Sequence, residues 1–431
     1  MALRGHVGLS LTTERRGLDS AGKPAGRWRA LAWIAVAQVG AMSTWFSTAA
    51  IGPSLSRAWQ LSPSQLGLLT VAVQLGFVVG GLTAAVSGVA DLAPSRWVFV
   101  VSALAVAALN ALLLGVGNHL VLALAARFGL GVALAGVYPT GMKLMAGWFR
   151  AGRGLAIGTL VGALTLGSAL PHLAAGIQVG ETLPWQQVIV VTSVGALISA
   201  SMVAIGVRPG PFDIRGARLD VGWALRSLRD PAVRLANLGY LGHMWELYAM
   251  WTWLPAFLFA SFQAWQPGLS SQTLGRSASL LAALVIGFGA LGSVGAGLLA
   301  DRIGRTTTTA MAMGGSAASA VATGLLFGHR PVLVVGVAVL WGITVIADSA
   351  QFSTAISELT AGPRVGSALA LQTALGFLLT TVSIQTLPLV QAAAGWAAAF
   401  GVLAVGPALG ALAMLRLRAC PEAGRLAGGR R

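Results

Sequence analysis

The sequence predicts an all-α polytopic membrane protein with twelve transmembrane helices arranged in two six-helix bundles. Of its 431 residues, 56% are hydrophobic and only 9% are charged, whereas soluble domains carry about 25% charged residues. Apolar segments follow one another along the chain, each long enough for the roughly 20 residues that a helix needs to cross a bilayer. Most arginines and lysines gather in every second connector between these segments. These three observations define the fold class.

The apolar segments predict helices because the alternative does not fit. Strands of a membrane barrel alternate with a two-residue period and are about half as long. The twelve predicted spans cover residues 30–51, 65–88, 97–116, 120–147, 153–177, 186–207, 232–260, 276–299, 306–327, 331–357, 365–389 and 393–416.

The longest internal connector is rich in Arg, Pro and Gly, and it separates six spans from six. Within it, residues 223–229 predict a short amphipathic helix lying on the membrane. The predicted parts are a cytoplasmic tail (1–29), a first bundle (30–207), a cytoplasmic linker (208–231), a second bundle (232–416) and a second cytoplasmic tail (417–431).

Matching positions in the two halves indicate a duplicated six-helix unit. Asp91 and Asp301 each end the second span of their half and are 210 positions apart. Arg153 and Arg364 each open the fifth span of their half and are 211 positions apart. A repeat of this kind is the usual construction of secondary transporters.

The distribution of basic residues predicts the orientation of the chain. With the N-terminus inside, the inner connectors and the two tails hold 23 Lys and Arg, against Arg57, Arg276 and Arg330 outside. An excess of positive charge on the inside places both termini in the cytoplasm, in a bacterial-type inner or plasma membrane. The basic N-terminal stretch lacks a short apolar region followed by a small-residue cleavage site, so we expect no cleaved signal peptide.

Several other classes of protein are excluded by composition and motifs. The net charge of +16 does not indicate nucleic-acid binding, because the basic residues lie in short connectors and not on one solvated face. The single cysteine, Cys420, provides no cysteine metal site, and no ligand spacing for a metal or cofactor occurs. The chain has no phosphate-binding G-x-x-x-x-G-K-[ST] loop and no nucleophile–base arrangement of an enzyme. We expect a monomer surrounded by lipid.

The most specific pattern is G-x-x-x-D-R-x-G-R at residues 297–305, between the eighth and ninth spans. It places charges at the membrane surface, while its first and last glycines allow close helix approach and a tight turn. The aspartate can pair with an arginine or cap a neighbouring helix, and so close the inner face in one state. A solvated hairpin that only sets topology is the alternative. The candidate gating residues of this copy are Gly297, Asp301, Arg302, Gly304 and Arg305.

The first half carries a weaker copy of the pattern and two further motifs. Residues 87–96 keep Asp91 and Arg96 but lack the Arg and Gly that follow the aspartate in the second copy. The fourth span contains a motif of small residues that starts at Arg127 and ends at Tyr138-Pro139. A Gly-rich connector follows at residues 147–158.

These patterns together resemble the major facilitator superfamily of transporters, from about residue 30 to 416. The resemblance implies two bundles around a central cavity, lined by the first, fourth, seventh and tenth helices of the fold. It implies transport by alternating access. The chain is also loosely similar to the nitrate and cyanate porter branch, although its second and eighth spans lack the buried arginine of nitrate carriers.

The seventh span supplies the candidate proton carrier. Its residues 239–255 contain two of the three tyrosines in the chain and three tryptophans, around His243 and Glu246. These two residues lie three positions apart, so they share a helix face and can touch. A carboxylate midway through a span favours its protonated form unless it is paired, as a proton carrier requires. A carboxylate that merely bonds a neighbouring helix is the alternative.

The remaining candidate residues are polar positions in other apolar spans. An arginine inside a span must face protein or water, so Arg127 is an anion anchor, a proton-relay partner or a snorkelling structural residue. Asp348 and Gln351 lie in the tenth span and Gln372 in the eleventh. The full set proposed for substrate and protons is Arg127, Tyr138, His243, Glu246, Tyr248, Asp348, Gln351 and Gln372.

The sequence therefore predicts a secondary active transporter of a small organic solute, coupled to protons through Glu246 and Asp348. Arg127 raises the option that the solute is an anion. A drug or metabolite efflux antiporter of the same fold is the alternative, and a membrane-embedded enzyme or a sensor is the remote one.

Overall fold

The computed structural model describes residues 24, 26–87, 93–149, 153–177, 185–212, 220–360 and 365–430. Within these residues the chain is helical and contains no strand. The first half holds α1 (Arg27–Met42), α2 (Ser47–Ala50), α3 (Gly52–Trp59), α4 (Pro63–Ser87), α5 (Ser95–Ala111), α6 (Leu120–Leu134), α7 (Tyr138–Ala146), α8 (Arg153–Ile177) and α9 (Gln186–Gly206). The rest holds α10 (Val221–Ser227), α11 (Pro231–Trp265), α12 (Ser271–Ile303), α13 (Arg305–Leu325), α14 (Pro331–Ala347), α15 (Ser349–Leu359), α16 (Val365–Ala419) and a 3-10 helix (Pro421–Gly429).

The predicted membrane class is confirmed by these helices. Eight helical stretches among the described residues are long and apolar enough to cross a membrane. They cover nine of the twelve predicted spans, because α16 contains both the eleventh and the twelfth. The other three predicted spans are helical in α1, α11 and α13, which are not among the eight. The count of twelve crossings stays a prediction.

Three of the predicted spans are interrupted near their middle or end. The first breaks between α1 and α2, the fourth between α6 and α7, and the tenth at Asp348 between α14 and α15. Pro139 lies in the first turn of α7, where backbone N–H groups have no intrahelical acceptor, so the missing N–H of proline costs no hydrogen bond. Each break releases backbone groups that only a protein partner can satisfy inside a membrane.

The eleventh and twelfth spans follow each other without a loop. Gly395 interrupts α16 with φ 80° and ψ 179°, a conformation that is essentially confined to glycine. Gly376 before this kink and Gly406 after it both contact α11. The two segments of α16 therefore fold back on each other at Gly395.

The two halves of the chain contact each other mainly through two helix pairs, α4 with α16 and α8 with α12, and to a smaller extent through α2 with α11 and α8 with α15. At one end of the molecule, Nε of Arg276 donates to the carbonyl of Gly176 at 3.1 Å. At the same predicted outer end, Nε2 of Gln385 lies 3.4 Å from the carbonyl of Ser64. These contacts join the halves at the face that the charge distribution assigns to the outside.

The amphipathic helix predicted in the linker is present as α10. The side chain of Asp220 caps it by accepting from the backbone nitrogen of Trp223 at 2.8 Å. The backbone nitrogen of Asp220 donates to Ser367 at the start of α16. The linker helix is thus tied to the second half of the chain.

Candidate functional site

Glu246 is the most deeply buried acid of the site, with 1% of its surface exposed. Its two carboxylate oxygens accept hydrogen bonds from two different helices. Oε1 accepts from the indole Nε1 of Trp341 on α14, and Oε2 from the hydroxyl of Ser316 on α13, each at 2.7 Å. Both donors are neutral. Glu246 therefore has hydrogen-bond partners but no cation among the described residues.

His243 pairs with Asp348 and not with Glu246. Its Nδ1 lies 2.8 Å from Oδ1 of Asp348, and both side chains are almost completely buried. This is the distance of an ion pair, although the two groups are not aligned for a hydrogen bond. The predicted contact between His243 and Glu246 does not occur, because each side chain finds a partner on α13, α14 or the break after α14. Asp348 at that break also precedes the first turn of α15, where a negative charge is favourable.

Arg127 is completely buried, and all its bonds lie within the first half of the chain. Nη1 donates to the carbonyl of Thr44 at 3.0 Å and to the hydroxyl of Ser47 at 3.1 Å. Nη2 donates to the carbonyl of Trp45. Nε donates to the carbonyl of Leu69 at 3.4 Å. The guanidinium thus satisfies carbonyls released by the break between α1 and α2.

Asn110 extends the Arg127 contacts to two further helices. Its side-chain oxygen accepts from Nη1 of Arg127 at 3.3 Å, and its amide nitrogen donates to Thr192 and Ser193 at 2.9 Å. The arginine network therefore ties together α2, α4, α5, α6 and α9. No carboxylate takes part in it among the described residues. The structure thus does not bring Arg127 together with Glu246 or Asp348 through any described polar contact.

Aromatic side chains from both halves meet at the centre of the molecule. The ring centroids of Phe77 and Phe377 are 4.6 Å apart, and those of Trp45 and Tyr248 are 5.7 Å apart. The indole Nε1 groups of Trp45 and Trp251 have no hydrogen-bond partner among the described residues. We call this cluster the aromatic centre, and its members are Trp45, Phe46, Phe77, Tyr248, Trp251 and Phe377.

Arg305 of the loop motif anchors an ion-pair cluster at the predicted inner face. Its guanidinium binds both carboxylate oxygens of Glu358, at 2.8 and 2.7 Å, in the bidentate geometry that arginine favours. Nη1 of the same side chain donates to Oε1 of Gln351 at 3.0 Å. Glu358 also accepts from the backbone nitrogen of Ala427 in the final 3-10 helix. Gln351 therefore lies in this ion-pair cluster, with Arg305 and Glu358, and makes no described hydrogen bond to Glu246.

The other residues of the loop motif have separate positions. Gly304 ends α12 with φ 94°, as the predicted tight turn requires. The side chains of Asp301 and Arg302 are exposed, and the described residues include no ion pair for Asp301. The backbone carbonyl of Asp301 instead accepts from Arg430. An added Cβ at Gly297 would meet open space, so this glycine makes no close contact.

In the first half, Arg96 donates to the carbonyl of Ala204 at the end of α9. Asp91 lies outside the described residues. Tyr138 is half-buried at the start of α7, and Gln372 is buried with an unpartnered amide nitrogen within the described structure. Among the described residues, Arg96, Tyr138 and Gln372 show no direct bond to Glu246.

Sequence reasoning missed the partners that define the site. Ser316, Trp341, Glu358 and Asn110 were not predicted, although each is a polar group within or at the end of an apolar span. A tryptophan in the middle of a span, away from the membrane interface, needs a partner for its N–H group. A mid-span asparagine has the same need. That need is the signal from which Trp341 and Asn110 can be found.

Two helical halves, broken spans and buried polar groups at their centre define a secondary transporter. The chain belongs to the major facilitator superfamily, whose model matches residues 34–383. No curated protein matches the sequence. Among solved structures, the fold is similar to that of an alanine mutant of the nucleoside transporter NupG. The TM-score is 0.68 at 13% identity, over 91% of this chain and 99% of that chain.

Proposed function

We propose that the chain moves a small organic solute across the inner membrane by alternating access, coupled to protons carried by Glu246. The observation that carries the proposal is the environment of this carboxylate: it is buried and, among the described residues, bonded only to the neutral donors Ser316 and Trp341. A charged carboxylate without a counter-ion is costly inside a membrane, and binding a proton removes that cost. Its partners lie on two other helices, so a change in its charge acts on how α11, α13 and α14 pack.

His243 and Asp348 supply a second site for protons in the same half. The pair is buried, and its members lie on α11 and at the break between α14 and α15. A proton added to either member changes the charge of the pair next to a discontinuous helix. We assign this pair a supporting role in the coupling.

The aromatic centre favours a solute with a planar ring. Its rings come from both halves and are buried, while two of its indole N–H groups are unpartnered in the described structure. Flat apolar faces stack on aromatic rings, and the free N–H groups suit acceptors on the solute. The name of the nucleoside transporter NupG agrees with a ring-containing solute. An anion held by Arg127 has less support, because neutral acceptors already occupy all three nitrogens of its guanidinium.

A drug or metabolite efflux antiporter is the second candidate, and the aromatic centre is the observation that favours it. A symporter and an antiporter differ in the direction of proton movement relative to the solute. The sign of the proton flux therefore distinguishes these two functions.

The test is proton flux in liposomes that contain the purified protein and a pH-sensitive dye. Panels of nucleosides and other ring-containing solutes, organic anions, sugars, amino acids and cationic drugs are added in turn. We expect flux with a ring-containing class, and loss of uphill accumulation in Glu246→Gln, because glutamine can accept from Trp341 and donate to Ser316 but cannot release a proton. Glu422→Gln, the same change at a half-buried position in the tail, away from the site, should behave as the parent does.

If Glu246→Gln accumulates solute as well as the parent under a pH gradient, Glu246 does not carry the coupling proton. Transport of an organic anion alone would overturn the argument from the aromatic centre and restore the one from Arg127.

A further inference from the structure

A groove on the outside of the second half is separate from the site described above. It lies between α11 and the two segments of α16, encloses about 570 Å³, and is lined almost entirely by apolar side chains. Several of these side chains are largely exposed, among them Leu238 (48%), Leu409 (62%) and Leu412 (54%). We call it the lateral groove. Its exposed apolar lining indicates that it opens towards lipid.

Glycines make the floor of the lateral groove. Cβ atoms added at Gly242 and Gly406 would lie 2.3 and 2.6 Å from the carbonyl oxygen of the other residue. The backbones of α11 and α16 therefore touch at this crossing, with no side chains between them. The ring of Trp245 lines the groove beyond the crossing, and its N–H group is already bonded to the carbonyl of Val402. The groove thus offers apolar surface at this end and no free donor from the indole.

Two arginines mark the opposite end of the groove. On α11, Arg234 lies on the same face as Leu238, Leu241 and Trp245, at helical spacings of four, three and four residues. On α16, Arg416 lines the groove and follows Val405, Leu409 and Leu412 with the same spacings. Both arginine side chains are exposed and have no hydrogen-bond or ion-pair partner among the described residues.

Neither arginine forms an ion pair with an acidic side chain among the described residues. Asp230, one turn before Arg234, uses Oδ1 to accept from the backbone nitrogens of Ala232 and Val233 at the start of α11. The two positive charges at the rim are therefore available to an anion.

The length of the groove matches one leaflet of a bilayer. From Arg234 to Trp245 is eleven residues, or about 16 Å at 1.5 Å per helical residue. Half of a hydrocarbon core is about 15 Å thick. An acyl chain along this stripe reaches from the bilayer centre to the headgroup level, where both arginines stand.

We propose that the lateral groove binds an anionic phospholipid from the leaflet in which α16 ends. One acyl chain lies along the groove and the phosphate lies between Arg234 and Arg416. In the predicted orientation this is the cytoplasmic leaflet, whose anionic lipids attract basic residues at the membrane surface. A zwitterionic lipid fills the same groove but gains less from the two arginines, because its headgroup carries a compensating cation.

Native mass spectrometry of the full chain tests this proposal. The purified protein is equilibrated in mild detergent with phosphatidylglycerol or with phosphatidylcholine of identical acyl chains, and the retained lipid is counted. We expect the parent to retain phosphatidylglycerol about tenfold more tightly than phosphatidylcholine, because the choline cation offsets the attraction of its phosphate to the two arginines. The double variant Arg234→Gln/Arg416→Gln should lose this preference. The charge-matched control Arg302→Gln/Arg418→Gln should keep it.

A third variant separates the groove from general surface charge. Leu238→Trp places a bulky ring in the groove and leaves both arginines in place, so it should weaken retention of both lipids. Phosphatidylglycerol retention equal to that of the parent in the double variant, or in Leu238→Trp, would overturn the proposal. An equal loss in the control pair would also overturn it, because net charge would then explain the preference. Thermal midpoints close to that of the parent verify that each variant is folded.

Discussion

Arg127 in the first half and Glu246 in the second are equally buried, and neither has a partner of opposite charge among the described residues. Arg127 donates to acceptors from several helices, including three backbone carbonyls. In the described part of the chain, Glu246 accepts two hydrogen bonds, from a hydroxyl and an indole. A guanidinium cannot release its proton in a protein, whereas a carboxylate can bind and release one.

The difference between a permanent and a titratable buried charge determines which role each can have. A permanent charge must be satisfied in every conformation, so Arg127 is built into the bundle as a structural tie. A titratable charge with few neutral partners changes the energy of the surrounding helix packing whenever its proton comes or goes. We therefore expect Arg127 to serve the stability of the first half and Glu246 to serve proton coupling in the second.

The largest expected effect that tests this assignment is on folding. Arg127→Ala removes the guanidinium from three backbone carbonyls and from Asn110, although Ser47 still donates to the carbonyl of Thr44 and to Asn110. A buried group left unpaired costs about 1–3 kcal/mol, so we expect a loss of roughly 3 kcal/mol of stability, seen as a clear drop in thermal midpoint and in the yield of folded protein. Arg330→Ala, at an exposed arginine, is the control and should unfold with the parent. A stable Arg127→Ala protein that transports anions poorly would make Arg127 a substrate anchor instead.

An intermediate effect is expected at the second acid of the second half. Asp348→Asn removes the charge from the pair with His243, while asparagine still suits the start of α15. We expect the transport rate to fall several-fold but uphill accumulation to persist, because the Glu246 bonds are unchanged. Initial rates and steady-state accumulation ratios in liposomes measure the two quantities separately. Complete loss of accumulation, as expected for Glu246→Gln, would place Asp348 directly on the proton path.

The smallest expected effect lies at the predicted inner face. The ion pair of Arg305 with Glu358 is partly exposed, with 14% and 26% of the side chains accessible. Solvent screening limits such pairs to about 1 kcal/mol or less. Arg305→Gln, Glu358→Gln and the double variant form a cycle whose coupling energy comes from thermal unfolding. A coupling several times larger would mean that this cluster, like the Arg127 network, holds its half together.

Much of the fold follows from the sequence because membrane helices obey strong local rules. Length and apolarity place each predicted span on a helix, and Gly304 marks the turn of the loop motif where the pattern predicts it. The amphipathic helix of the linker also begins close to its predicted position. These features depend on residues that are neighbours in the chain.

The partners in the site were less predictable because they depend on how helices are rotated about their axes. His243 and Glu246 share a face, but a neighbouring helix can bring a better partner to either of them. Trp341 and Ser316 reach Glu246 from 95 and 70 residues away in the chain. Gln351 is a polar residue within an apolar span, as expected of a binding residue. It lies one turn into α15, however, where it accepts from Arg305 in the ion-pair cluster. No periodicity within a single span contains this information.

The kink at Gly395 has a mechanical consequence. A hairpin without a loop transmits force between its two arms, because it has no slack to absorb a displacement. The arm before the kink touches α4 of the opposite half, and the arm after it touches the glycine crossing on α11. A tilt of one half against the other therefore also displaces the part of α16 that lines the lateral groove. A residue other than glycine at position 395 would strain the positive-φ backbone at the kink and so change the angle between the two segments of α16.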